Sequence, residues 1–236
     1  MKKFKLFLLA TVAAAPLLQS CNDSKVEGAD SMALVTILNP GGISAGYYFK
    51  ADNGQTLYPA QFAVATGSYN PDDGQRAFIY YSLLEEKSQK YDYNIKLYGL
   101  SEILTKEVES MDPGNEEEFG DDPITLVQLD NGNGYDCLIS GGYITLSFKI
   151  NALAQEGHKI SLVRNSTDDN TAESDYTLLE LRHKSDKMSS EGSRRTSMAS
   201  FKLNGYDPVI TGKKGLKIRI KDFNENIEYV QIDYQK

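Results

Sequence analysis

Few side chains in this 236-residue chain could do covalent or metal chemistry. There are two cysteines, Cys21 and Cys137, and two histidines, His158 and His183. A thiol nucleophile needs a base beside it, and zinc sites take His and Cys ligands, commonly at close spacing. His158 and His183 are 25 residues apart, and Cys137 lies 21 residues before His158. Neither pattern is written in the chain, and only a fold that joined distant strands could assemble one. Cys137 therefore reads as a small buried hydrophobe in a strand, with a catalytic nucleophile as the alternative. His183, in LELRHKSD, reads as a strand-end residue pointing outward. The chain has no Ser-centred nucleophile elbow, no dinucleotide-binding glycine fingerprint and no P-loop. Among 33 acidic residues, some pair close enough to attack a glycosidic bond arises by chance, so acid content does not mark a hydrolase. Glu116, Glu117 and Glu118 are consecutive and cannot all face one cation. The turn at 130–134 lacks the alternating acids of a calcium loop. No catalytic residue, metal or cofactor is expected.

The remaining cysteine sits differently. Met1-Lys2-Lys3-Phe4-Lys5 is a basic start, and residues 6–18, LFLLATVAAAPLL, carry no charge. That is the n-region and h-region of an export signal, shorter than the roughly 20 residues that span a bilayer. It ends Leu18-Gln19-Ser20-Cys21, which resembles a bacterial lipobox. The motif implies cleavage before Cys21 and acylation of that residue. One acyl chain binds a membrane marginally, whereas two or three hold it stably. The expected location is the outer membrane, lipid-anchored, at its periplasmic face or the cell surface. The formal net charge is −8 and the leader contributes three lysines and no acid, so the processed chain is more acidic still. Such a chain repels nucleic-acid phosphates, and no nucleic-acid partner is expected.

Any site must be positioned by strands. Residues 1–20 read as signal and 21–31, small and polar, as a flexible tether. A first domain then runs over 32–111. ALVTIL (33–38), the arms on either side of Asn53-Gly54, QRAFIYYSLL (75–84) and the alternating YDYNIKLY (91–98) read as strands, and Asn53-Gly54 predicts a type I′ hairpin. In 91–98, Tyr91, Tyr93, Ile95 and Leu97 are expected to face one way and Asp92, Asn94 and Lys96 the other. Ser101 to Met111 reads as a short helix capped by Ser101. The acidic stretch 112–122, DPGNEEEFGDD, reads as a solvated linker and domain boundary. Over 123–236 further short strands separated by turns predict a β-sandwich, with Ile144, Leu146, Phe148 and Ile150 facing inward. The expected fold class is all-β.

Several stretches resemble the NigD-like lipoproteins of Bacteroidales: YNPDDGQRAFIYYSLL (69–84), YDYNIKLYGLSEILTK (91–106), DDPITLVQL (121–129), HKISLVRN (158–165), LELRHKSD (179–186) and LKIRIKDFNENIEYVQIDY (216–234). The resemblance covers nearly all of the chain after Cys21. It implies an N-terminal OB-like barrel followed by a C-terminal β-sandwich, and through the family's name a link to bacteriocin immunity or export. It implies no enzymatic activity. OB barrels often bind oligonucleotides or oligosaccharides on one strand face. Tyr47, Tyr48, Phe49 and Tyr98 are available for stacking, and Tyr47, Tyr48 and Tyr98 are the candidate ligand-binding residues, with barrel core or rim as the ordinary alternative. Only Lys50 and Lys96 accompany them, so an envelope protein or polysaccharide suits the charge better than nucleic acid. The functional expectation is a lipid-anchored, non-enzymatic envelope binding protein. The alternatives are a bacteriocin-associated immunity or accessory protein and, last, a hydrolase.

Overall fold

The computed structural model describes residues 26–40, 46–63, 69–132, 134–152, 157–167, 174–186 and 193–234. The signal segment and Cys21 lie outside the described residues. Five strands close the first domain into a barrel: β1 (Ser31–Leu38), β2 (Tyr48–Ala51), β3 (Thr56–Phe62), β4 (Arg76–Leu83) and β5 (Tyr93–Glu102). Their order is β1-β2-β3-β5-β4, antiparallel throughout except where β3 runs parallel to β5. The period-two alternation points Val35, Ile37, Phe49, Leu57, Ile79 and Ile95 inward, and these side chains fill the barrel. Burying each contributes roughly 1.5–3 kcal/mol.

The β2–β3 connection differs from the predicted turn. Gly54 donates to the Ala51 carbonyl (2.9 Å) and Ala51 donates to Gln55 (2.8 Å). Only Gly54 takes a positive φ (+88°), so the loop uses one left-handed residue, where a type I′ turn needs two.

The second domain packs two sheets face to face. One has the order β6 (Leu104–Glu107), β13 (Ser193–Lys202), β10 (Tyr143–Ala152), β8 (Ile124–Leu126), with β9 (Cys137–Ser140) also paired to β10. The other has the order β15 (Ile227–Asp233), β14 (Gly215–Lys221), β12 (Tyr176–Ser185), β11 (His158–Asn165), β7 (Glu109–Met111). The core between them holds Ile144, Leu146, Phe148 and Ile150, as the alternation predicted, against Leu162, Leu181 and Ile218.

Three boundaries differ from the sequence reading. Residues 101–111 form the end of β5, then β6 and β7, with no helix. β6 lies parallel to β13 and β7 parallel to β11, so the segment steps from one sheet to the other and satisfies its backbone on both. The barrel's share ends with Ile103, whose N–H donates to the Arg76 carbonyl (2.9 Å), and the sandwich begins at Leu104. Residues 112–122 are consequently inside the sandwich domain. Glu116–Glu118 do face water, but they open a four-residue helix, α1 (Glu116–Phe119), that buries Phe119 against Met111 and Val163. Asp122 accepts from the Ser185 N–H (2.7 Å). Finally, residues 26–30 are packed on the barrel: Gly28 lies so close to the Tyr98 ring that a Cβ there would come within 2.6 Å of it, and Val26 lies over Gly99. Residues 26–30 are therefore not part of a free tether.

Candidate functional site

The outer face of the barrel carries an aromatic cluster. Tyr48 on β2 and Tyr58 on β3 are the outward neighbours of the buried Phe49 and Leu57. Tyr91 comes from the loop entering β5. Its ring stacks on Tyr58 (centroids 5.0 Å, planes 3° apart) and meets Tyr48 at 4.9 Å. The Lys90 ammonium sits 5.2 Å from the Tyr91 ring centre. Asp92 pins this loop to β3: its carboxylate accepts from the N–H and the hydroxyl of Thr56 (both 2.8 Å), and its own N–H donates to that hydroxyl (3.0 Å). These bonds, led by the Thr56 N–H, hold the Asp92 carboxyl below the usual carboxylate range. The result is a set of ring faces and phenol groups fixed before any ligand arrives, suited to the flat face of a sugar ring or an apolar side chain.

Of the three tyrosines expected at a site, Tyr48 belongs to this cluster. Tyr47 turns the other way, meeting Phe49 and Tyr69 edge-on (5.6 and 5.7 Å) as part of the barrel packing. Burial raises its pKa, and its hydroxyl has no hydrogen-bond partner among the described residues. Tyr98 is covered by Gly28, accepts a weak bond from Ser82 (3.3 Å) and has Lys96 over its ring. Tyr58 escaped the sequence reading, and the alternation puts Tyr91 on the same face as Ile95 and Leu97. It lies just before β5 begins, so the alternation that orients Ile95 and Leu97 does not govern it.

Where barrel meets sandwich, a charged knot joins them. Arg76 of β4 is fully buried and grips Asp52 with two bonds (2.6 and 2.8 Å) while donating to the Thr36 hydroxyl (3.0 Å). From the sandwich, the Ser140 hydroxyl donates to Asp52, the Tyr143 ring lies 4.9 Å from the guanidinium, and the Tyr143 hydroxyl donates to the Gly74 carbonyl (3.0 Å). Beside the knot is a cleft of about 220 Å³ walled by both domains, with Asp136 among its lining residues.

The structure brings the two histidines together. His158 Nδ1 is 3.0 Å from His183 Nε2, and the rings stack at 5.2 Å. His183 is 2% exposed, correcting the outward placement: it lies across from Ile160 in the β11–β12 ladder, on the buried side. Its Nδ1 donates to the Pro123 carbonyl (3.2 Å), leaving Nε2 to accept from His158. Among the described residues, no three His, Cys, Asp or Glu side chains converge as a metal ion would require. Cys137 lies on β9 against the sandwich core, and burial, then Asp136, pushes its thiol pKa up, away from a reactive thiolate. The buried Glu180 is likewise engaged, by Arg182 (2.5 Å), Arg219 (3.1 Å) and Asn165 (2.8 Å).

The chain matches the NigD-like N-terminal OB domain over residues 35–103 and the NigD-like C-terminal beta sandwich domain over residues 107–234. Both limits agree with a changeover at 103/104. No curated protein matches. Solved structures share the fold. A protein of unknown function from Bacteroides vulgatus is 24% identical, with 87% of this chain and 91% of that one covered and a TM-score of 0.69. A NigD-like immunity protein from Bacteroides caccae is 18% identical over 84% and 91%, TM-score 0.56. A candidate lipoprotein from Bacteroides fragilis is 15% identical over 87% and 98%, TM-score 0.57.

Proposed function

Starting from the chain's membership of the NigD-like family, whose two domains it matches in order, we propose that it is a lipid-anchored, non-enzymatic binding protein of the cell envelope. It is held by acyl chains on Cys21 and takes a protein or polysaccharide partner on its barrel. The observation that carries the reading is the Tyr48–Tyr58–Tyr91 cluster, pre-organised by Asp92 on an exposed strand face. Two further features support it. Asp52 at the domain junction and Glu180 in the second sheet are both occupied by arginines, and the lipobox stands only a few positions before Val26, which lies over the barrel's Gly99. In this reading the protein sits at the outer membrane, on its periplasmic face or at the cell surface.

The binding test is retention of outer-membrane proteins and envelope polysaccharides on the immobilised protein. Tyr58→Ala/Tyr91→Ala is expected to lose most of the retained material while folding normally. Retention equal to wild type would remove the barrel face from the proposal. Radiolabelled palmitate tests the anchor: the wild type takes up label and Cys21→Ala does not. A second reading, immunity to a bacteriocin, is favoured by the shared fold with the NigD-like immunity protein of Bacteroides caccae. It predicts that expression protects a sensitive strain, and unchanged sensitivity excludes it.

A further inference from the structure

The cleft beside the Arg76–Asp52 knot has a chemistry that neither the barrel face nor the anchor uses. Met32, Leu34 and Phe78 form its barrel wall, and Leu138 and Met198 its sandwich wall. Two carboxyl groups reach this apolar lining. Asp52 is compensated by Arg76 and Ser140. Asp136 is not: the residue is 8% exposed, and among the described residues its carboxyl group has no hydrogen-bond donor and no cation. Its backbone is clamped, the N–H donating to Val127 (2.8 Å) and the carbonyl accepting from Ser147 (2.9 Å), which keeps the residue at the cleft wall. A carboxylate on the wall of a largely apolar cleft, with no cation or donor from the protein, is a ready counter-charge for a cationic ligand.

Among the described residues, no lysine or arginine lines the cleft. We infer that it binds a small organic cation with an apolar body, the ammonium head facing Asp136 and the tail lying on the methionine and phenylalanine walls. A divalent metal is disfavoured because Asp136 is the single uncompensated carboxylate, with Asn53 and Thr145 as the uncharged polar side chains of a largely apolar lining. An anion is opposed by both acids. A purely apolar ligand would strip water from Asp136 and put nothing in its place. Thioether and aromatic surfaces suit an ammonium group and its adjacent methylenes. The volume is below the roughly 300–1,000 Å³ that encloses drug-sized ligands, which fits one short chain. This inference is independent of acylation and of the tyrosine cluster.

Calorimetry on the purified protein tests it, with hexylammonium, 1-hexanol and hexanoate as matched probes. Hexylammonium is expected to bind one to one, with the alcohol at least about tenfold weaker and hexanoate absent. That preference corresponds to about 1.4 kcal/mol. Asp136→Asn, nearly isosteric, is expected to erase the preference for the cation, and Ala33→Leu, which adds bulk at another lining residue, to weaken cation and alcohol alike. As a check that needs no variant, ¹³C-methyl methionine spectra of the wild type should show Met32 and Met198 moving on titration while Met111, buried at the sandwich edge, does not. No saturable hexylammonium binding in the millimolar range overturns the inference. So does equal affinity for the alcohol, a preference that survives Asp136→Asn, or unmoved Met32 and Met198 signals.

Discussion

Removing Asp52 should damage this protein far more than removing Arg76, although the two form one ion pair. The Arg76 side chain is 0% exposed and the Asp52 side chain 17%. Asp52→Ala leaves a guanidinium sealed between two domains, with Thr36 and the Tyr143 ring as remaining partners. Stranding a buried charge costs about 3–5 kcal/mol. Arg76→Met replaces the cation with an apolar chain of similar length, and the remaining carboxylate keeps Ser140 as donor and a path to water. That variant should lose about 1–2 kcal/mol, the scale of a hydrogen bond to a charged group. At about 2–4 °C per kcal/mol for a chain of this size, the first variant falls roughly 6–20 °C in Tm and the second only a few degrees. The double variant should resemble Arg76→Met alone, because the stranded charge is gone. Since the knot ties barrel to sandwich, Asp52→Ala should also split a single calorimetric transition in two. Urea denaturation and scanning calorimetry of the four proteins check this. If Asp52→Ala costs less than Arg76→Met, or the double variant is as damaged as Asp52→Ala, the assignment of Arg76 as a sealed charge is wrong.

Gly141→Ala should cost about 1–3 kcal/mol in chemical denaturation, because Gly141 has φ +60° and a Cβ would lie 2.8 Å from the Asp52 carboxylate. Gly132→Ala, at φ +69° with nothing within 4 Å, should cost less. Tyr47→Phe should be neutral or stabilising by up to about 1 kcal/mol, since it removes a buried hydroxyl with no partner among the described residues. The Asp92 carboxyl is lowered in the folded state from its ordinary 3.8. Its contribution to loop order is therefore present above that value and lost as pH falls through the lower, folded pKa. The Tyr91 ring signals should hold constant from pH 7 to pH 4 in wild type and lose their dispersion at all these pH values in Asp92→Asn.

Alternation made the sheets legible: Ile144, Leu146, Phe148 and Ile150 could be assigned inward from spacing alone, and the turn residues around Asn53-Gly54 located a hairpin. What spacing could not show was partnership across long separations. Leu104 pairs with Ala199 in a parallel ladder, and nothing in SEILTKEVES distinguishes such an edge strand from a helix with a serine cap. His158 meets His183 because of the β11–β12 register, which is fixed by packing at other positions. Arg76 reads as the polar start of an apolar strand, and its burial follows only from Asp52, 24 residues earlier. Asp136 carries no signal in the sequence, since its isolation depends on which residues the fold keeps away from it.

The folding of residues 26–30 onto the barrel has a geometric consequence for an anchored molecule. From Cys21 to Val26 a chain can stretch at most about 17 Å. If Cys21 carries the proposed acyl chains, a leash of that length would keep the OB domain close over the bilayer. Such a molecule would sample a thin shell next to the lipid and meet what is embedded in that membrane or pressed against it.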